Sequence, residues 1–272
     1  TDLGLFVAGG KGKTSRRTPS EIEGWGESIS LNPGPLVYAS RMSAKVDSSA
    51  VQDGYQLYHH SFLFTTGGSW AVVQQGMNEA THYARRYHWL GEKVADFVNE
   101  PHSAILSEAS GEALNLVAGE SDPARITITD IATNQKPQDI LADLKKLKTL
   151  DLPPHHPIGV HDLHPDSLSK ILISTYERQP QDFEQLLGLR GVGAKTIRAL
   201  SLISELVYGV APSYRDPARY SFAHGGKDGI PYPVDRKTYD QSIELLKKAI
   251  HKTKLGIREK NETLNRLSRL ER

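Results

Sequence analysis

Reactive side chains are concentrated between positions 38 and 89 of this chain, more densely than stability alone requires. We predict these candidate catalytic residues: Lys45, Asp47, Asp53, His59 and His60. Carboxylates beside an imidazole suit a hard divalent cation, which assists phosphodiester cleavage by stabilising charge on the phosphate oxygens. The sequence therefore predicts a Mg²⁺ or Mn²⁺ site with Asp47, Asp53 and Glu79 as candidate ligands. Taken singly, each residue is more typical of an ordinary polar position, so the prediction depends on their joint density.

The two neighbouring histidines fall in a predicted strand. Strand alternation places Leu57 and His59 on one face and His60 on the other. The two imidazoles are therefore not expected to bind the same metal, although one of them could. Lys45 or Arg41 would stabilise the negative charge that develops on the attacked phosphate.

A short helix, a glycine hairpin and a second helix are predicted between residues 185 and 198. Gly191 and Gly193 permit positive φ and close backbone approach. Amides at the start of the second helix, together with Lys195, would bind an anion. This order resembles the helix-hairpin-helix of DNA repair and recombination proteins, which binds the phosphates of one strand without reading bases. A packing corner between two helices is the alternative, and a monovalent cation could sit at the hairpin.

A basic glycine loop follows the first predicted strand at residues 9–14. Its Gly-Lys-Thr ending is also found in nucleotide-binding P-loops, but that motif needs glycine five residues before Gly12, where this chain has Val7. An NTPase is therefore a minor alternative. We predict a loop that contacts a nucleic-acid backbone, because basic side chains stand beside glycine amides. A solvated turn is the remaining interpretation.

Two adjacent arginines lie among three aromatic residues over positions 83–89, a pattern typical of surfaces on which single-stranded bases stack. An aromatic edge of the core explains it equally well. The complete set of predicted phosphate- and nucleic-acid-binding residues is Gly10, Lys11, Gly12, Lys13, Thr14, Arg16, Arg41, Arg85, Arg86, Gly191, Gly193, Lys195, Thr196 and Arg198.

The elements that position these residues predict an α+β protein. A mixed α+β lobe is expected over residues 1–150, and an all-helical lobe with the hairpin over 151–272. A proline-rich connector at 152–157 marks the boundary, since it suits neither a helix nor a strand interior. In the first lobe we predict strands at 3–8, 55–65, 69–75, 114–118 and 125–129, and helices at 36–42, 79–86 and 137–150.

Composition limits the classes of function. The 272 residues carry a formal net charge of +1, so nucleic-acid binding must come from local basic patches. The absence of cysteine excludes disulfides, thiolate catalysis and cysteine-ligated metal. No apolar run could span a bilayer and no signal peptide is visible, so we predict a cytoplasmic protein that does not bind membranes. Because the chain starts directly on a strand-like run, an N-terminal portion is expected to be missing.

Several runs resemble the archaeal and thermophile family catalogued as domain of unknown function 763. They comprise residues 9–14 (GGKGKT), 38–45 (YASRMSAK), 52–60 (QDGYQLYHH), 70–77 (WAVVQQGM) and 220–229 (YSFAHGGKDG). The resemblance covers nearly the whole chain. The family's association of a ParB-like N-terminal part with a helix-hairpin-helix implies DNA processing.

A second resemblance involves the helix-hairpin-helix DNA glycosylases. Residues 191–196 are similar to their Gly-Val-Gly-x-Lys-Thr run, and Val234-Asp235 to their later Val-Asp pair. This resemblance implies that Asp235 is catalytic. However, the segment between the two is longer here, and the first lobe would have no role. We favour Asp235 as the N-cap of the following helix.

The combined prediction is a metal-dependent nuclease of DNA repair or recombination, with chemistry in the first lobe and phosphate binding in the second. A non-catalytic DNA-binding module that recruits another enzyme is the main alternative. A DNA glycosylase and a ParB-like NTPase are the further alternatives. The C-terminal helices from residue 237 have a rough heptad spacing, so they could form a homo-oligomer, although packing on their own domain is favoured.

Overall fold

Helices and antiparallel strands are mixed along the chain, which confirms the predicted α+β class. The computed structural model describes residues 4–147, 164–218, 236–252 and 256–268. The predicted connector at 152–157, the loop at 222–229 and Asp235 lie outside these residues. None of the described helices is both long enough and apolar enough to cross a membrane.

Eight strands form two sheets in the described part of the chain. The first sheet has the order β1-β3-β4-β5-β6 with antiparallel neighbours, and the second has the order β2-β7-β8. The strands are β1 (Leu5–Lys11), β2 (Val51–Gln52), β3 (Gln56–Thr65), β4 (Trp70–Met77), β5 (Ala84–Leu90), β6 (Ala104–Ser107), β7 (Glu112–Asn115) and β8 (Ser213–Arg215).

The helices fall on both sides of the predicted boundary near residue 150. They are α1 (Thr18–Ser28), α2 (Gly34–Lys45), α3 (Asp122–Asn134), α4 (Pro137–Leu147), α5 (Pro165–Arg178), α6 (Phe183–Gly188), α7 (Ala194–Leu206), α8 (Arg236–Lys252) and α9 (Ile257–Ser268). The prediction of a helix at 79–86 is wrong, since residues 79–83 connect β4 to β5 and β5 begins at Ala84. The strand predicted at 125–129 is also wrong, since it lies within α3.

One face of the five-stranded sheet packs against helices to form the core. Phe62, Val72 and Trp89 on that face are buried together with Met42 of α2. The same hydrophobic cluster continues into α5, α6 and α7, for example through Ile197. The two predicted lobes therefore share one core in the described residues, although their division as domains stays a prediction.

The β3–β4 hairpin confirms the predicted pairing and carries a β-bulge. His60 pairs with Gln74 and His59 with Gln75, but the register shifts so that Leu57 pairs with Gly76. Paired residues share a sheet face, so the bulge moves Leu57 to the His60 face. The prediction that Leu57 and His59 lie on one face is therefore wrong, because strict alternation does not continue through a bulge.

Gly9 allows β1 to lie close to β3 at the level of His60. Its φ is +88°, and a Cβ at this position would lie 2.3 Å from the carbonyl oxygen of His60 and from Oγ1 of Thr18. Its N–H donates to Oε2 of Glu21 at 2.7 Å. Any other residue here would displace the backbone of β3 beside His60.

Candidate active site

A cavity of about 630 Å³ opens where the start of α1, the length of α2, β3, β4 and the end of α6 meet. Its polar lining includes Ser40, Arg41, Lys45, His59, His60 and Gln74. Arg16 adds a further cation, and no carboxylate is found among the described residues that line the cavity. The charge of this lining favours an anionic ligand.

Helix α2 carries much of this lining, and the sequence defines both of its ends. Gly34 and Pro35 open the helix, with the proline in its first turn, where a missing N–H costs nothing. After Lys45 the chain continues as a π-helical turn over Val46–Ala50. Such turns are rare in proteins, and those that occur are frequently found at functional sites. This one contains Asp47, whose side chain is fully buried.

Ser40, His60 and Gln74 form a buried hydrogen-bonded row in the wall of the cavity. Oγ of Ser40 lies 2.9 Å from Nε2 of His60, and Nδ1 of His60 lies 2.9 Å from Oε1 of Gln74. The amide oxygen of Gln74 can only accept, so we assign the proton of the neutral ring to Nδ1. Nε2 of His60 is then the acceptor for the hydroxyl of Ser40.

The orientation of the Gln74 amide is determined by two acceptors on its other side. Its Nε2 donates to the carbonyl oxygen of Ser43 at 3.2 Å and to Oδ2 of Asp47 at 2.5 Å. Oδ2 of Asp47 also accepts from Nε1 of Trp89 at 2.9 Å, and Oδ1 lies 2.5 Å from Nε2 of His102. Asp47 is therefore a buried anchor for Gln74 and does not face the cavity.

Burial lowers the pKa of His60 below its ordinary value of 6.5. The hydrogen bond to Gln74 and the charge of Asp47 act in the opposite direction but do not offset desolvation. The ring is therefore neutral near pH 7, which is the protonation state of a general base. A neutral imidazole aligned on a serine hydroxyl is the arrangement that activates a nucleophile.

We predict that the free energy of unfolding falls as the pH drops below 6.5, in part because of His60. The unfolded chain takes up a proton at this imidazole near its ordinary pKa of 6.5, whereas the folded chain resists protonation until a lower pH. The contribution of His60 is therefore complete above pH 6.5 and is lost toward the lower folded pKa. Urea unfolding of the wild type and His60→Gln across this pH range measures it. Identical pH slopes for the two proteins would contradict the assignment.

Side chains of the N-terminal half hold the hairpin of the C-terminal half beside this cavity. Nζ of Lys45 donates to the carbonyl oxygen of Val192. Nε2 of Gln52 donates to the carbonyl oxygen of Ala194 at 2.9 Å, and its Oε1 accepts from Nε of Arg198 at 2.8 Å. Burial lowers the pKa of Lys45. Lys45 and Arg198 therefore both lie where the two halves of the chain meet. Lys45 lines the cavity and bonds to Val192, and Arg198 bonds to Gln52.

The predicted hairpin connects α6 and α7 through residues 189–193. Gly191 has a φ of +95°, and Val192 is buried in the core. Gly193 precedes the first residue of α7. In the first turn of α7, Lys195 is exposed while Thr196 is buried. The turn is therefore anchored by an apolar side chain, and its basic side chain faces solvent.

Asp53 and Arg85 belong to a different buried cluster. Arg85 is 1% exposed, and its guanidinium makes two bonds to Asp216, at 2.9 and 2.8 Å, and one of 2.9 Å to Asp53. Asp53 also accepts from the hydroxyl of Tyr87 at 2.7 Å, and Arg85 stacks over the ring of Tyr55. The prediction that Arg85 contacts nucleic acid is corrected here, because this side chain is buried and both of its terminal nitrogens bond inside the protein.

Electrostatics within this cluster reflect its burial. Desolvation raises the pKa of Asp53, because burial outweighs the attraction of Arg85 and the bond from Tyr87. Burial also acts to lower the pKa of Arg85, but its bonds to Asp216 and the charge of Asp53 hold it above its ordinary value. We assign this cluster to stability, since its charged groups satisfy one another.

The three carboxylates predicted as metal ligands do not converge. Asp47 holds Gln74, Asp53 holds Arg85, and Glu79 is exposed in the connection between β4 and β5. Within the described ranges, no group of three or more histidine, aspartate and glutamate side chains is placed to hold a metal ion. The predicted set of protein ligands is therefore not assembled in the described residues.

The basic loop after β1 forms a 3₁₀ turn over Gly12–Arg17, and only part of it reaches the cavity. Arg16 lines the cavity, as does Arg41 of α2. The hydroxyl of Thr14 donates to the carbonyl oxygen of Lys11 at 2.6 Å, which closes the turn. The other predicted residues of the loop are outside the lining: Gly10, Lys11, Gly12, Lys13 and Thr14.

The remaining predicted residues lie in other surroundings. His59 contributes to the cavity wall, and its Nε2 lies 2.8 Å from the hydroxyl of Ser61. Arg86 is half-buried on the opposite sheet face from Arg85. The predictions omitted Ser40 and Gln74 as candidate catalytic residues, although both fell in the polar stretch. The contact of His102 with Asp47 was not predicted, because nothing in the sequence links the two residues.

A family model described as "Protein of unknown function (DUF763)" matches residues 1–234 of the chain. No match was found among curated proteins or among solved structures.

Proposed function

The chain belongs to the DUF763 family, and we propose that it binds DNA through its phosphates and cleaves a phosphodiester of the bound strand. One observation carries this proposal: the Ser40–His60 pair opens into a cavity whose charged lining is cationic. The cavity wall also includes Gly188, the residue that leads into the hairpin.

The cavity suits a phosphate better than a neutral or cationic group. Arg16, Arg41 and Lys45 contribute positive charge, while the buried carboxylate of Asp47 is occupied by donors. Burial lowers the pKa of Lys45, because its ammonium group is partly removed from water. In such surroundings a cation stabilises developing negative charge more strongly than it would in water.

The hairpin supplies the other half of the proposal. Amides at the start of α7 point away from the helix, where the dipole favours an anion, and Lys195 is exposed beside them. These groups interact with phosphates and carry no information about bases. Binding at residues 189–196 would bring a strand next to the cavity, because Lys45 joins the cavity to Val192.

Cleavage of synthetic DNA tests the proposal directly. Labelled single-stranded, duplex and branched DNA would be incubated with the full chain in three conditions: Mg²⁺, Mn²⁺ and chelator. We assign no protein ligands to a divalent cation, so the comparison measures whether an ion bound to substrate is needed. Product formation that depends on Ser40 and His60 is expected. Tight binding without cleavage of any DNA under any condition would refute the cleavage proposal.

Binding without chemistry is the second candidate, and the exposed Lys195 favours it independently of the cavity. A module of this kind would bind DNA backbones and recruit another enzyme. The glycosylase alternative depends on Asp235, which lies outside the described residues. The NTPase alternative still lacks the first glycine of its motif.

Lys195→Ala is expected to weaken DNA binding by a similar factor for all sequences. Loss of one phosphate contact should reduce the slope of log affinity against log salt by about 1. Titrations of fluorescent duplexes at several salt concentrations measure both quantities. Lys170→Ala is the matched control, because this exposed lysine on α5 makes the same charge change. A selective change in sequence preference would argue against backbone recognition.

A further inference from the structure

We infer that Ser40 is the nucleophile of this site and that it forms a covalent phosphoserine with the cleaved strand. The inference rests on the proposed function for its substrate, and it adds the identity of the attacking group. Ser40 is 2% exposed and lines the cavity.

The hydrogen bond of Ser40 differs from that of its neighbour on α2. A serine inside a helix commonly donates to a carbonyl oxygen of the preceding turn, and Ser43 does so toward Ser40 at 3.1 Å. Ser40 instead contacts Nε2 of His60 on β3, across the interface between helix and sheet. This bond positions the hydroxyl against the only unprotonated nitrogen of the neutral ring.

Two further links keep that nitrogen available. Gln74 accepts from Nδ1 of His60, which holds the proton on the far side of the ring. Asp47 and the carbonyl oxygen of Ser43 accept from the amide nitrogen of Gln74, so its oxygen cannot exchange places with its nitrogen without losing both bonds. Gln74 and Asp47 are positioning residues, because they act through His60.

The reaction is balanced within this set of residues and water. Oγ of Ser40 forms a bond to phosphorus as its proton passes to Nε2 of His60. The bond from phosphorus to one deoxyribose oxygen breaks on the side opposite Ser40. Water gives that oxygen its proton, and His60 returns the serine proton to water. Arg41 and Lys45 stabilise the added charge on the phosphate oxygens. The phosphoserine is then released by water or by a DNA hydroxyl, with His60 as the base again.

A fluorophosphonate probe tests the nucleophile without DNA. Such a probe carries an electrophilic phosphorus, so attack by Ser40 forms the oxygen–phosphorus bond, expels fluoride and passes the proton to His60. We expect one adduct per chain by intact mass, mapped to Ser40 by peptide sequencing. Labelling should disappear in Ser40→Ala and slow by about 10²-fold or more in His60→Gln, since a general base contributes that much. Ser28→Ala, an exposed hydroxyl on α1, is the control and should label normally.

A second measurement uses end-labelled DNA and a denaturing gel. Label that stays on the wild-type chain, and not on Ser40→Ala, supports the phosphoserine. Cleavage without any attached label, or probe labelling that persists in Ser40→Ala, overturns the inference and leaves the proposed function intact. Labelling of Ser40 by the probe without cleavage of any DNA refutes the proposed function and supports Ser40 as a nucleophile. Urea unfolding of each variant confirms that the chain is folded.

Discussion

His60→Ala is expected to reduce the rate of DNA cleavage by about 10²- to 10⁴-fold, the range that a positioned general base contributes. Nε2 of His60 is the atom that faces the hydroxyl of Ser40, at 2.9 Å. Without the imidazole the hydroxyl keeps its proton, so attack on phosphorus becomes slow. Binding should change little, because the hairpin is untouched. Single-turnover cleavage with excess protein separates the chemical step from binding.

The control for this prediction is His82→Ala. His82 is exposed in the connection between β4 and β5, so its loss removes an imidazole without altering the cavity. Removal of His60 also leaves Oε1 of Gln74 without its donor, at a cost of about 1–3 kcal/mol in stability. Assays should therefore be run well below the unfolding temperature of the variant. A cleavage rate within a few-fold of the wild type would reject His60 as the base.

Arg85→Met is expected to lower the free energy of unfolding by about 3–5 kcal/mol, as does removal of one partner of a buried ion pair. The guanidinium is the partner of both Asp53 and Asp216, and methionine would leave their buried carboxylates without a cation. Urea unfolding at neutral pH measures the loss. The loss is large because an uncompensated buried charge destabilises the folded state by more than the intact ion pair stabilises it.

Arg86→Met on the next position of β5 is the matched control. Arg86 is half-buried on the other sheet face, so its replacement should cost far less. Adding Asp53→Asn and Asp216→Asn to Arg85→Met should recover part of the lost stability, because the buried charges are then removed together. If the triple variant is less stable than Arg85→Met, the uncompensated carboxylates are not the cause of the loss.

The two aspartates that looked alike in the sequence have separate roles in the fold. Asp47 lies in the π-helical turn after α2 and orients Gln74, whereas Asp53 follows β2 and pairs with Arg85. Their sequence neighbourhood suggested a shared cation. Their partners are neighbours on one face of the sheet, since Gln74 on β4 pairs with Tyr87 on β5, which donates to Asp53. The two carboxylates still serve different groups, because each is held by its own donors.

Local patterns predicted several elements correctly and failed where packing opposed them. The β3–β4 hairpin and α2 followed from aromatic and β-branched runs and from proline placement. The Ile-Thr alternation at 125–129 favoured a strand, yet Ala124, Ile128 and Ile131 are buried along one face of α3. Burial at helical spacing outweighed the strand preference of single residues.

The sequence by itself determined the α+β class, the family, the glycine hairpin with the lysine that follows it, and the polar stretch in which His60 lies. The class, the hairpin and the polar stretch depend on residue type and short-range spacing, whereas the family follows from similarity over residues 1–234. Only the tertiary structure decided which polar groups meet. Ser40, His60 and Gln74 come from a helix and two strands, and a β-bulge near His60 reset the faces of β3. Hydrogen bonds and desolvation act through space, so which groups serve chemistry and which serve stability follows from packing.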